Sequence, residues 1–377
     1  MAVYLDCNAT TPIDPEVEQE FLHYIREEFG NAGSRTHEYG TRAKQAVQRA
    51  RDQVAAMVKC QREEVIFTSG ATESNNLALL GLRAHGEKTG RKHIIATAIE
   101  HKAVLEPLEQ LARQGFEITL VSPQPDGAVA AEAVAAALRP ETLLVSVMHV
   151  NNETGIIQPI QEITKALSHH GAFFHVDAAQ GFGKRIPDLQ NQRIDLISVS
   201  GHKIYAPKGI GALVVRRRGY ERVPLTPLFF GGGQERGLRP GTLPVALIAA
   251  LGKASELALR DCDKRIARCA DIKQQALRTF GKVGGVPTGD LEKSIPSTLN
   301  VAILGLDSEA MMLALKDVVA ISNGSACTSQ NYEPSHVLSA MKLSDDHIKG
   351  ALRLSWCHLT AQVDWDAVVA SIKRLGG

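Results

Sequence analysis

The chain has 377 residues, with 42 Lys and Arg against 41 Asp and Glu, a formal net charge of +1. This length exceeds what one hydrophobic core usually fills, so two domains are expected. The balanced charge, with no basic block beyond Arg216-Arg217-Arg218, argues against direct binding to nucleic acid or an anionic membrane. The start MAVYLDC has neither a basic nor an apolar leader region, and no apolar run approaches the roughly 18 residues of a membrane span. Six scattered cysteines without CxxC spacing read as free thiols in a reducing compartment, with no cysteine zinc site. A cytoplasmic protein without a bound metal is expected.

From Val65 onward, β-branched apolar runs alternate with longer stretches at helical spacing. The runs are VIF (65–67), HIIAT (93–97), EITLV (117–121), TLLVSVMHV (142–150), AFFHVDA (172–178), DLISVS (195–200) and GALVVRR (211–217). Segments between them, such as AVLEPLEQLARQG (103–115) and PIQEITKALSHHG (159–171), carry apolar residues at i, i+3 and i+4 and stop at glycine, as helices do. The alternation predicts an α/β fold with a mostly parallel, seven-stranded sheet. After Thr242 a helical pattern extends to about Phe280, and the Gly/Pro-rich GKVGGVPTGD (281–290) then precedes STLNVAIL, DSEAMMLALK, VVAIS and ALRLSW. These predict a smaller α/β domain at the carboxyl end. The expected division is 15–256 for the large domain, and 1–14 with 257–377 for the small one.

In an open α/β sheet, ligands sit beyond the carboxyl ends of the strands. After VIF comes TSGATESNN (68–76), a turn opening a helix, whose amides and Thr72 hydroxyl suit a phosphate; alone, it reads more readily as an ordinary helix cap. Glu100-His101, NNETG (151–155), Asp177 with Gln180, and Ser200-Gly201-His202-Lys203 follow later strands. A lysine amine in a pocket forms Schiff bases, and pyridoxal phosphate takes such a lysine together with an acid for its ring nitrogen. Thr72, Asp177 and Lys203 would meet three needs of that one cofactor. Cys327 lies in SNGSACTSQN (322–331), a polar context that marks a candidate reagent more than a core thiol, expected to be a mobile loop.

VYLDCNATTPIDP, NAGSRTHEYG, TSGATESNN, EHKAVLEP, VNNETGIIQPI, HVDAAQ, SVSGHKIYAPKGIGAL, GGGQERGLRPGTLP and SNGSACTS, in that order, resemble the cysteine desulfurases of the NifS/IscS-like group over essentially the whole chain. The resemblance implies the pyridoxal-phosphate-dependent transferase fold of the class V aminotransferases, a homodimer, and conversion of L-cysteine to L-alanine with the sulfur held as a persulfide. Carried onto this sequence, it gives Lys203 the cofactor aldehyde, Asp177 the ring nitrogen and His101 the ring face. Ala71, Thr72, Ser200 and His202 would hold the phosphate, with Thr242 of the partner subunit. Asn152 and Gln180 would contact the ring oxygen, Asn152 and Arg353 the substrate, and Cys327 would accept the sulfur. His101 is the expected second proton carrier.

The family pattern departs at three places. Pro240 stands in the RPGT run, Cys357 replaces a glycine after RLS, and Cys7 occupies a variable position. The sulfur would pass to an acceptor protein in iron-sulfur assembly, tRNA thiolation or DNA phosphorothioation. The ending SIKRLGG (371–377), close behind the last helical pattern, favours a dedicated pathway. Alternatives are another reaction of the same fold, such as a selenocysteine lyase or an aminotransferase, and a cofactor-free sulfur carrier or interaction protein.

Overall fold

The seven apolar runs are the seven strands of one sheet in the computed structural model, which describes residues 2–323 and 334–375. They are β1 (Val65–Thr68), β2 (His93–Thr97), β3 (Glu117–Val121), β4 (Thr142–Met148), β5 (Phe173–Asp177), β6 (Leu196–Ser200) and β7 (Gly211–Val215). In space they run β1-β7-β6-β5-β4-β2-β3. Only β7 runs against its neighbours; β6, β5, β4, β2 and β3 are parallel.

The residue pattern follows from this placement. Interior strands such as β4 and β6 are buried at every position, so both faces must be apolar and the run reads as continuous. The edge strand β3 instead exposes Glu117 and Leu120, and an edge charge discourages pairing with a second sheet. Alternate residues still divide between two cores. Val65 and Phe67 pack with the helices Pro15–Arg26, Glu38–Val58 and Val245–Arg260 on one face. Ile66 packs with Ala71–Leu80 and Lys102–Arg113 on the other. In Glu38–Val58 the buried positions Ala43, Val47, Ala50, Val54 and Val58 recur every three or four residues, which aligns them into one stripe.

The helical pattern from Thr242 to Phe280 is two helices, Val245–Arg260 and Cys262–Gly281. Asp261 breaks it, its amide closing the first helix on Leu257 O while its backbone leaves helical geometry. The segment 159–171 forms a shorter helix than its spacing suggests, Ile160–Ala166. Downstream, Val286–Pro287, Thr298–Ala302 and Ala351–Ser355 form an antiparallel sheet in that order. Its Leu299, Val301, Leu352 and Leu354 pack with Ile272, Phe280, Met311 and Val368 in a separate core. The amino-terminal strand Val3–Tyr4 pairs with Val319–Ala320, and Asp6 bridges to Ser355.

Gly252 is set by close helix packing, since a Cβ there would lie 2.6 Å from Ala50 Cα. Alanine in a helix interior is ordinarily preferred by about 1 kcal/mol, whereas overpacking a filled core costs about 1–3 kcal/mol. The clash is against backbone and wins. Gly252→Ala is expected to lower the thermal midpoint by a few degrees, while Gly281→Ala, at a helix end with open space around it, leaves it unchanged or higher. Differential scanning calorimetry of both variants decides; equal effects would refute the packing argument.

Candidate active site

Parallel register brings the carboxyl ends of β1, β4, β5 and β6 to one edge: Met148 pairs with Asp177, and Asp177 with Ser198. A cavity of about 510 Å³ opens there. Of the residues singled out in the sequence, Ala71, Thr72, His101, Asn152, Asp177, Gln180, Ser200, His202, Lys203 and Arg353 all line it. Thr242 does not; it lines a second cavity of about 540 Å³ with Arg51, Glu235 and Arg236. Cys327 lies outside the described residues, as does the loop expected to carry it.

Asp177, the last residue of β5, is 5% exposed. Asn75 Nδ2 donates to its Oδ2 at 2.7 Å and the Ala179 amide to its Oδ1 at 2.9 Å. Lys203 closes the short turn Gly201–Lys203 after β6, and its Nζ donates to the carbonyls of Asn8 and, at 2.7 Å, Ala9. Gln180 Nε2 donates to the same Asn8 carbonyl at 2.9 Å. The amine is thus aimed by backbone oxygens from the amino terminus.

The helix Ala71–Leu80 begins at Gly70 with no side-chain cap. Ser69 and Thr68, which could have served, turn to Glu73 and to Ser74 and Gly70 instead. The first-turn amides of an uncapped helix are open donors at a positive helix end. His202 stands opposite, its Nδ1 3.2 Å from Thr10 Oγ1. Burial, then the positive charges of Lys203, Lys208 and Lys184, push it down to about 4, so it is a neutral donor. His101 caps Lys102–Arg113, its Nδ1 accepting from the Ala103 amide at 3.0 Å, which leaves the proton on Nε2. Burial holds its imidazole below the ordinary value, with Lys203 adding to the effect and Asp177 opposing it.

Arg353 is 2% exposed. Leu352 and Leu354 on either side of it point into the small core, so strand alternation turns Arg353 to the opposite face, into the cavity. Its Nη2 pairs with Asp6 Oδ1 at 2.8 Å and its Nη1 donates to Asn152 O at 3.3 Å, while Nε has no partner among the described residues.

The donor set suits pyridoxal phosphate: open helix amides with neutral His202 for a phosphate, a buried acid for a ring nitrogen, and an oriented amine for an aldehyde. Several contributors were not foreseen. Asn8 and Ala9 act through carbonyls; Asn75 sits inside the TSGATESNN motif, one helical turn past Ala71, and that spacing was the available signal. Glu100, fully buried, accepts from Thr97 Oγ1 at 2.6 Å and the Met148 amide at 2.7 Å, and its backbone oxygen meets His336 Nε2 at 2.9 Å.

A family model described as aminotransferase class V matches residues 3–368. The chain is 44% identical over 369 residues to cysteine desulfurase IscS of Anaeromyxobacter sp. (strain K), covering 97% of this chain and 90% of that protein. Among solved structures it is similar to DndA from Streptomyces lividans, with 50% identity, 94% of this chain and 98% of that chain covered, and a TM-score of 0.84. It is also similar to SspA in complex with cysteine, with 34% identity, 94% and 98% coverage, and a TM-score of 0.81.

Burial pushes Glu100 up to about 8, against an ordinary glutamate value near 4.3. Between those limits the folded protein keeps a proton that the unfolded chain has released. Stability from this group is therefore complete below the ordinary value and is lost as pH rises toward 8. Glu100→Gln keeps the accepting oxygen and is permanently neutral. Its thermal midpoint relative to wild type should rise between about pH 5 and about pH 8; a pH-independent difference would show that Glu100 is not protonated in the fold.

Proposed function

The chain belongs to the class V aminotransferase family, and from that membership and the cavity just described we propose how its own residues act. It is a pyridoxal-phosphate-dependent cysteine desulfurase, converting L-cysteine to L-alanine. The observation that supports the roles is the meeting of Lys203, Asp177 and Arg353, from two separate sheets, in one cavity with an uncapped helix start.

When bound, pyridoxal phosphate supplies an aldehyde for amines and a protonated ring that draws electrons from the substrate α-carbon. Ala71 and Thr72 at the helix start, with Ser200 and neutral His202, would hold its phosphate, joined by Thr242 of the partner subunit in a homodimer. Asp177 would keep the proton on the ring nitrogen; His101 would hold the ring, and Asn152 and Gln180 its oxygen. Lys203 would bind the aldehyde and, released by the substrate amine, take the proton from the α-carbon and return it. His101, neutral with its proton on Nε2, is the second proton carrier. Arg353 would receive the substrate carboxylate on the edge that Asp6 leaves open.

Cys327 would then attack the substrate sulfur, breaking the carbon–sulfur bond and forming a persulfide, which a thiol of an acceptor protein takes by exchange. The likeness to DndA at 50% identity favours a phosphorothioation pathway for that acceptor. A division at 15–256 against 1–14 with 257–377 belongs to the same reading. So does a cytoplasmic location, in keeping with five free cysteines among the described residues. Among those residues no helix is long and apolar enough to cross a membrane.

Purified holoenzyme given cysteine should release alanine and, with a reducing thiol present, equimolar sulfide. Cys327→Ser should keep the cofactor's colour and its spectral response to cysteine while sulfide falls to background. Sulfide release at the wild-type rate would remove Cys327 from the reaction. Arg353→Ala forfeits a charge-assisted contact worth about 1.5–3 kcal/mol, so KM for cysteine should rise roughly ten- to hundredfold. An unchanged KM would exclude Arg353 from substrate binding.

A further inference from the structure

Two cysteines that the reaction above does not use meet behind the lysine. The Cys7 amide donates to Ser355 O at 3.0 Å, which sets Cys7 beside the end of the strand that leads to Cys357. The two side chains pack with Tyr205 in one small buried cluster. Thr360 Oγ1 donates to Cys357 Sγ at 3.7 Å and accepts from the Cys357 amide at 2.9 Å. Both cysteines line a cavity of about 520 Å³ that shares no residue with the Lys203 cavity.

The pair is chemically asymmetric. The contact with Cys7, with donation from Thr360 Oγ1 and the nearby Lys184 charge, pulls Cys357 below the ordinary thiol value, while the contact with Cys357 and burial push Cys7 up. The Thr360 hydroxyl that donates to Cys357 Sγ favours charge on that sulfur, with Cys7 packed beside it. Next to Cys7 in the chain stand Asn8 and Ala9, whose carbonyls hold Lys203 Nζ.

We propose that Cys7 and Cys357 form a redox-modification site for hydroperoxides, closing to a disulfide that displaces the Asn8–Ala9 carbonyls from Lys203. In the first step the Cys357 thiolate attacks a peroxide oxygen. A sulfur–oxygen bond forms, the oxygen–oxygen bond breaks, and the departing oxyanion takes a proton to leave as water or an alcohol. In the second, the Cys7 sulfur, giving up its proton, attacks the Cys357 sulfenic sulfur; the disulfide forms and hydroxide leaves as water. Two thiols lose two electrons and one hydroperoxide gains them. A thiol reductant reverses the bond, as suits a transient disulfide in a reducing compartment. Covalent closure draws Cys7 toward Cys357, and a displacement of about 1 Å at a positioned catalytic group costs on the order of a hundredfold in rate.

The test uses holoenzyme carrying Cys327→Ser, which removes the competing reagent thiol and makes the readout independent of turnover. After hydrogen peroxide, alkylation and trypsin, the peptide ending at Arg26 should be found cross-linked to the peptide Leu354–Lys373. Cys60, Cys262 and Cys269 should remain alkylated. The visible band of the bound cofactor should change with the same time course and return on adding a phosphine reductant. Cys7→Ala in the same background should leave Cys357 as a sulfenic acid captured by dimedone, with no cross-link. Alkylated thiols at both positions after peroxide, separate sulfinic acids, or a cross-link that leaves the cofactor band unmoved would each overturn the proposal.

Discussion

The whole site turns on a carboxylate held away from water. Taking an ion out of solvent costs about several kcal/mol even after the surroundings relax, and among the described residues Asp177 at the end of β5 meets two donors, Asn75 Nδ2 and the Ala179 amide. Those donors fix its direction but bring no positive charge. The compensation must come from the cavity side, which suits a protonated ring nitrogen. Glu100 lies close enough for Asp177 to add to its upward shift. The two buried acids have different settings: Glu100 accepts from Thr97 and the Met148 amide away from the cavity, and Asp177 lines the cavity.

The first ten residues join this wall to the rest. Val3–Tyr4 pairs with Val319–Ala320 in the small core, Asp6 holds Arg353 from its bridge at Ser355, and Asn8 joins five partners. The Asn8 amide bonds Ser355 Oγ at 2.8 Å, and its Nδ2 bonds Asn152 O at 3.1 Å and Thr298 Oγ1 at 3.0 Å. Its carbonyl receives Gln180 and Lys203. One segment thus sets both the arginine facing the substrate carboxylate and the amine facing the aldehyde.

The sheet was legible because its interior strands are buried on both faces, so VIFT, TLLVSVM and LISVS read as unbroken apolar runs at turn-bounded intervals. Side chains just after those runs were legible for the same reason, since parallel strands deliver their ends to one edge. What was hidden has particular causes. Asn8 and Ala9 contribute carbonyl oxygens, which every residue has, so no residue type announces them. Asn75 reads as an ordinary polar helix residue, and Glu100, though placed just after a strand, carries no sign of the partners that burial makes obligatory. The break at Asp261 was masked because apolar spacing continues through it from one helix into the next. Thr242 faces a cavity with Arg51 and Glu235 in its own chain, a placement that strand-end reading cannot address.

Cys7 and Cys357 show how a departure from a pattern acquires meaning only in space. Separately, one is a thiol near the amino terminus and the other stands where a glycine was expected, and neither context is reactive on its face. Parallel bridging of Asp6 to Ser355 brings them together, and once together they no longer share one chemistry, because Thr360 Oγ1 donates to Cys357 Sγ and stabilises charge there. Tyr205 closes the cluster and is itself tied to the amino terminus, its amide donating to Thr11 Oγ1 at 3.0 Å. The wall that orients Lys203 is therefore the same backbone whose far side carries the thiol pair. A change in covalent state on one side must be absorbed by residues 8–9, because Ser355, Thr298 and Asn152 already hold Asn8 from the other directions.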